Sequence, residues 1–298
     1  MQTIKSKTIL QKAQFNSLDW FGIDYNMNLY RGCCHGCIYC DSRSNCYQIE
    51  NFDTVRLKED CISILASELR RKRKKGIVGI GAMSDTYNPF EREQNITRQA
   101  LSLIHQNGFG VSLDTKSDLI CRDADLLGAI GQQYGACAKL SITCAEDELS
   151  QRIEPGVCPS SARFKALKVL SAHNVFCGVL LTPILPYITD SEENILSILR
   201  RAADSGAKFA YSVFGVTLRE NQRDHYYAKL DQLFPGLRQK YQTAFGPKYY
   251  CKPRRLDSLR QTFIAECKKL GLLYRMQDII KAYKPRAPEG EQLNFLSL

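Results

Sequence analysis

No stretch of this 298-residue chain stays apolar for long. The longest such run, Gly178 to Ile188 (GVLLTPILPYI), is interrupted by Pro183 and Pro186 and falls far short of the ~20 residues a spanning helix needs, so no membrane partner is expected. The segment Met1 to Asn16 is polar, without the apolar h-region of a secretory leader, and a cytoplasmic location is expected. Histidine is scarce, 4 in all, and neither an H-E-x-x-H zinc helix nor a G-x-S-x-G nucleophile elbow occurs. Acidic residues are outnumbered: Lys+Arg 41 against Asp+Glu 31 leaves +10, which favours polyanionic or acidic partners but equally serves solubility. With 44% hydrophobic and 24% charged residues the chain can bury a sizeable core, and disordered or collagenous classes are excluded.

Cysteine, by contrast, is plentiful. There are 13, an odd number, so a fully paired disulfide scaffold within one chain is excluded and the thiols suit a reducing compartment.

From about residue 25, short β-rich runs alternate with segments of helical period. The expected strands are Tyr25 to Arg31, Ile77 to Ala82, Phe109 to Thr115, Ala138 to Thr143, Val175 to Leu181 and Ala207 to Phe214. Helices are expected near Lys58 to Lys75, Glu91 to Asn107, Ala124 to Tyr134, Ser160 to His173 and Ser191 to Ser205. Such alternation favours a parallel sheet with its functional groups at the C-terminal strand ends, in an incomplete barrel or a doubly wound sheet. After about residue 218 the rhythm stops, and Asn221 to Phe234, Leu256 to Leu270 and Met276 to Tyr283 read as helices. The expected division is an N-terminal extension (1–24), an α/β partial (βα)6 TIM-like barrel (25–218) and a helical C-terminal extension (219–298). The basic run Arg70 to Lys75 closes an expected helix, where cations complement the dipole.

The sharpest motif follows the first expected strand: Cys33-Cys34-His35-Gly36-Cys37-Ile38-Tyr39-Cys40, within which Cys33, Cys37 and Cys40 form C-x3-C-x2-C. Three soft thiolates on a tight loop suit one face of an iron-sulfur cluster and leave one iron open. Structural zinc, with Cys34, His35 or Cys46 as fourth ligand, stays open as the alternative.

The C-x3-C-x-Φ-C pattern, with Tyr39 as the aromatic, resembles the signature of the radical S-adenosylmethionine (SAM) superfamily. The segments NLYRGCCHGCIYC (28–40), SDTYNPFE (84–91), TKSDLI (115–120), LSIT (140–143), RIEPGVCP (152–159) and PILPYITD (183–190) resemble, in order, its spore-photoproduct-lyase-like branch, also labelled DNA repair photolyase-like. The resemblance implies a [4Fe-4S] cluster held by Cys33, Cys37 and Cys40, with SAM on the open iron. It implies Tyr39 behind the adenine, Lys116 on the methionyl carboxylate, Glu154 near the ribose, and Ser84, Ser141 and Arg163 as further SAM contacts. Asp85 and Tyr87 lie beside Ser84, facing the substrate or, for Asp85, capping the helix that contains Glu91. An external one-electron donor, flavodoxin- or ferredoxin-like, is implied as partner, and the substrate, which the sequence does not identify, is left open to DNA or RNA.

One position departs from the branch. Where spore photoproduct lyases carry a hydrogen-returning cysteine two residues before the matching serine, this chain has Ala82. Direct repair of the spore photoproduct by that route is therefore not expected, and spacing alone does not promote Cys144 or Cys121 to the role. Lys248, Lys252, Arg254 and Arg255 interleave with Tyr249 and Tyr250, a mixture suited to phosphates and bases. The alternative function is a basic nucleic-acid-binding protein with structural zinc in the cysteine loop.

Overall fold

The computed structural model describes residues 1–14 and 19–285; the end of the expected C-terminal extension, 286–298, lies outside them. In chain order the strands are β1 (Gln2–Ile4), β2 (Leu10–Lys12), β3 (Tyr25–Met27), β4 (Tyr30–Arg31), β5 (Arg56–Lys58), β6 (Ile77–Ile80), β7 (Gly110–Thr115), β8 (Ala136–Ser141), β9 (Phe176–Leu181), β10 (Phe209–Ser212), β11 (Val216–Thr217) and β12 (Tyr250–Cys251). The α-helices are α1 (Cys61–Arg71), α2 (Glu91–Gln94), α3 (Ile96–Gln106), α4 (Ala124–Tyr134), α5 (Asp147–Ile153), α6 (Ser160–Ala172), α7 (Glu192–Asp204), α8 (Gln222–Leu233), α9 (Leu237–Phe245), α10 (Leu256–Leu270) and α11 (Met276–Tyr283).

Five of the six expected strands, and the first half of the sixth, lie in one sheet of order β10-β9-β8-β7-β6-β3-β2, parallel except for β2, which pairs antiparallel with β3. Register runs without a break through the middle, with Ser112 opposite Cys137 and Ala138 opposite Cys177. β2 and β10 remain edges, so the barrel is open, the partial (βα)6 form. Alternate residues of a strand face opposite sides. Val111, Leu113, Ala138, Leu140 and Val179 belong to a core shared with α1, α3, α4, α6 and α7. Ile77, Cys137, Leu180 and Phe209 turn the other way and meet Phe21, Ile279 and Tyr283. Burial on both faces explains why these strands read as continuous apolar runs instead of alternating ones. Each fully buried aliphatic or aromatic side chain contributes about 1.5–3 kcal/mol.

A charge sits on that inner face. Lys139 of β8 is 1% exposed, its Nζ 2.7 Å from Ser112 Oγ, 3.1 Å from Asp114 Oδ1 and 4.4 Å from the centre of the Phe21 ring. Hydroxyl, carboxylate and ring together offset the desolvation of the ammonium.

Two local expectations change. The strand expected over Tyr25 to Arg31 is divided, β3 entering the large sheet while β4 joins β5 and β1 in a second sheet. This division swings the chain away from the barrel just before the cysteines. The basic run does not prolong α1, which ends at Arg71; Lys75 instead lies 4.6 Å from the centre of the Phe109 ring. The chain after 218 packs back on the barrel: β12 pairs with β11, Phe263 of α10 meets Phe214 edge-on at 5.7 Å, and Arg200 of α7 holds Glu266 at 2.6 Å.

Candidate active site

The cysteine loop is stitched to two neighbouring segments. At Gly32 (φ +83°) an added Cβ would stand 2.3 Å from the Thr54 carbonyl oxygen, so only glycine fits. Cys33 N–H donates to the Phe52 carbonyl at 2.8 Å, Ile38 N–H to that of Ile153 at 3.0 Å, and Gly156 N–H to that of His35 at 2.9 Å. A side chain at Gly156 would meet the Cys34 carbonyl oxygen at 2.7 Å, so residues 34–35 and Gly156 touch backbone to backbone. His35 is buried with Nδ1 3.5 Å from Asp85 Oδ2. Burial alone would lower its pKa, but the Asp85 charge and the neighbouring Cys33 together outweigh this and raise it.

A cavity of about 290 Å³ opens at the C-terminal ends of the strands, lined by Cys37, Tyr39, Cys40, Ala82, Lys116, Pro183 and Tyr250 among others. All thirteen cysteines are free thiols. Burial pushes the Cys37 thiol well up; Lys116 opposes this, while Glu154, Cys40 and Cys33 reinforce it. Burial also raises Cys40, again against Lys116. Among the described residues no three His, Cys, Asp or Glu side chains converge closely enough to hold one metal ion. A four-iron cubane carries its cysteines on different irons, so their sulfurs stand farther apart than around a single ion. The donor set, three soft thiols on one loop, two of which line a cavity, fits a cluster.

Lys116 follows β7, its Nζ 5.9 Å from the centre of the Tyr39 ring. Burial would lower its pKa, but Cys37, Glu154 and Asp85 raise it, so the ammonium persists. Behind Tyr39 lies a closed ionic group. The Tyr39 hydroxyl donates to Glu154 Oε1, and Arg163 Nη1 stands 2.6 Å from Glu154 Oε2, with both charged side chains 0% exposed. Burial pushes the Glu154 carboxyl up, yet Arg163, Lys116 and Tyr39 together hold it below its usual range. Arg163 also donates to the carbonyls of Ser141 (2.9 Å) and Cys158 (3.0 Å), tying α6 to the end of β8.

Of the residues expected from sequence, Cys37, Tyr39, Cys40 and Lys116 therefore share one cavity. Cys33 is buried at the start of the loop. Ser84 donates to the Gly32 carbonyl and Ser141 offers its carbonyl to Arg163; neither lines the cavity. Asp85 does not cap the helix containing Glu91. It accepts from Thr115 Oγ1 (2.7 Å), Lys116 N–H (2.8 Å) and Tyr87 N–H (2.9 Å), locking the loop after β6 to the end of β7. Tyr87 is 1% exposed with its hydroxyl on Asp123, turned inward rather than toward a substrate.

Sequence reasoning missed the residues that reach the loop from beyond 215. Gln222 of α8 donates to the Tyr39 carbonyl at 3.0 Å, Thr217 to Asp41 at 3.0 Å and Asn221 to the Arg43 carbonyl at 2.9 Å. Separations of 176 to 183 residues leave no local pattern to find them by.

Residues 27–215 match the family model of the Radical SAM superfamily. That is well over half of the chain, and the protein belongs to this superfamily. Membership implies a [4Fe-4S] cluster, SAM and a source of electrons. An uncharacterized protein of Mycobacterium tuberculosis is 28% identical over 90% of this chain and 78% of its own. An uncharacterized protein of Methanocaldococcus jannaschii is 32% identical over 62% of this chain and 69% of its own. Among solved structures, a mutant of spore photoproduct lyase superposes with a TM-score of 0.65 at 14% identity, covering 85% of this chain and 76% of that one. Spore photoproduct lyase complexed with dinucleoside spore photoproduct gives 0.62 at 15% identity, with the same coverage. The fold is thus of the spore-photoproduct-lyase kind. Among the described residues no helix is long and apolar enough to cross a membrane.

Proposed function

We propose that this radical SAM enzyme holds its cluster through Cys33, Cys37 and Cys40, binds SAM in the cavity before them, and acts on a nucleic acid. The observation that carries the reading is that Cys37, Cys40, Tyr39 and Lys116, brought from two separate loops, line one cavity. When bound, cluster and SAM supply reductive cleavage to methionine and a 5′-deoxyadenosyl radical able to abstract hydrogen from a substrate. The protein's own residues bind, orient and shield. Lys116, kept cationic by its anionic neighbours, takes the methionyl carboxylate as a compact charge. Tyr39 backs the adenine, its ring fixed from behind by Glu154. Glu154 would accept from the ribose diol, with Arg163 and the Tyr39 hydroxyl helping to keep it a carboxylate. Ser84 and Ser141 act from the strand ends, Ser84 by steadying Gly32 at the root of the loop.

The electron enters from an external flavodoxin- or ferredoxin-like donor. The nucleic-acid half of the proposal is supported by the +10 charge and the basic and aromatic residues from Lys248 to Arg255. Ala82 lines the cavity where a returning thiol would stand, which favours a reaction other than spore-photoproduct repair by that thiol route. Anaerobic iron-sulfur reconstitution followed by chromatography for 5′-deoxyadenosine tests the enzyme. Iron and sulfide with SAM-dependent 5′-deoxyadenosine are expected; a chain that takes up zinc alone, or a cluster inert to SAM under strong reductant, sinks the reading.

A further inference from the structure

A groove of about 690 Å³ lies outside the cavity, walled by α9, Arg254 and Tyr187. Tyr187 has φ +65°, a left-handed backbone that a bulky residue rarely adopts. The turn is held there by the Tyr241 hydroxyl donating to the Pro186 carbonyl (2.9 Å) and by Leu185 N–H donating to Thr189 Oγ1 (2.8 Å). Its ring leans on Tyr241 at 5.8 Å yet stays 37% exposed. The fold thus accepts a strained backbone to present an aromatic surface rather than bury it. Lys240 and Arg254 line the same groove, both exposed and neither ion-paired with a described residue.

The distribution of charge along the chain is one-sided. Residues 219–298 hold 16 Lys and Arg against 8 Asp and Glu, a surplus of 8, while residues 1–218 hold 25 against 23, a surplus of 2. The groove is also close to the chemistry. Tyr187 lies four residues beyond Pro183 and Arg254 four beyond Tyr250, and both Pro183 and Tyr250 line the active cavity. Four residues reach at most roughly 14 Å, so the backbone of each wall lies within that distance of a residue that lines the cavity.

We infer that this groove is a binding track for single-stranded nucleic acid, with a base stacked on Tyr187 and phosphates on Lys240 and Arg254, leading the strand into the active cavity. It rests on the nucleic-acid half of the proposed function. A duplex keeps its bases stacked and cannot offer one to Tyr187, whereas a single strand meets ring and cations together.

The test is fluorescence anisotropy on the full-length chain with labelled dT12 and U12, a 12-base-pair duplex and heparin. At low salt at least one oligonucleotide binds more tightly than the duplex. Tyr187→Ala raises its Kd about tenfold, Tyr187→Phe restores binding, and neither changes heparin affinity, since heparin has no bases. Lys240→Gln with Arg254→Gln flattens the slope of log K against log salt by about 1.4, two contacts at about 0.7 each. Binding that Tyr187→Ala leaves unchanged, in a variant whose melting temperature matches the parent, overturns the groove but keeps a nucleic-acid substrate. Binding of neither oligonucleotide at low salt overturns both. Formation of 5′-deoxyadenosine by the unchanged chain without oligonucleotide is measured separately, so failure of the radical chemistry is not mistaken for failure of the groove.

Discussion

Residues up to 218 carry nearly balanced charge and commit much of it to internal pairs, whereas the 80 residues that follow carry most of the excess, and most of the Lys and Arg described there are exposed. In the barrel Glu154 meets Arg163, Lys139 meets Asp114, and buried Asp123 meets both Arg98 and Arg122. After 218 the Arg255–Glu192 and Arg238–Asp231 pairs are largely exposed, where an ion pair contributes about 0–1 kcal/mol. A charge in the interior fixes geometry because water cannot replace its partner. A charge on the surface stays available to whatever arrives from solution.

The severest challenge to this contrast is at the cysteine loop. Cys37→Ala is expected to abolish the iron-sulfur absorption and reduce 5′-deoxyadenosine to background with the far-ultraviolet circular dichroism unchanged; iron retained at parental stoichiometry refutes the ligand assignment. Next in size is Arg163→Met, which strands a fully buried carboxylate. A loss of about 3–5 kcal/mol in urea unfolding is expected, partly recovered by adding Glu154→Gln. The sign with pH follows from the same pair: because the folded Glu154 pKa is depressed, its contribution is complete above the unfolded value of about 4.3 and is lost as pH falls through the folded value. The parent should therefore lose stability on acidification more steeply than Glu154→Gln, and parallel curves contradict it.

A smaller effect is expected where the two regions touch. Gln222→Leu leaves the buried Tyr39 carbonyl without its donor, at about 1–3 kcal/mol, and hastens iron loss to a chelator. Iron release at the parental rate limits Gln222 to a packing role. Least of all, Arg255→Met removes an exposed pair and should lower the unfolding free energy by less than about 1 kcal/mol; a loss as large as that of Arg163→Met erases the distinction between interior and surface charge.

Much of this was legible along the chain. The six parallel strands were readable because each is a short apolar run bounded by helical periodicity, and five of the intervening helices followed. The antiparallel β2 and the pairs β1–β5 and β11–β12 were not, because strands of two or three residues carry too few side chains to show a period. Helix α5, seven residues long and mostly polar, was missed for the same kind of reason, whereas α9 was missed although Leu237, Tyr241 and Phe245 recur at helical spacing. Cys33, Cys37 and Cys40 stood out because their spacing is local. Ser84 and Asp85 were singled out by position, but only the folded chain assigns Ser84 to the Gly32 carbonyl and Asp85 to β7.

The superfamily, the order of the βα units and the thiol trio needed nothing beyond the order of residues, since each depends on neighbours a few positions away or on a pattern repeated along the chain. The folded chain was required to show that Glu154 and Arg163 neutralise one another behind Tyr39, and that Gln222 and Thr217 hold the cysteine loop. It alone turned Tyr250 into the cavity while leaving Tyr187 bare. Separation along the chain is the cause. Gln222 and Tyr39 stand 183 positions apart and Glu154 and Tyr39 115, while for the nearer pair Glu154–Arg163 the burial that sets its strength exists only once the chain has closed around it.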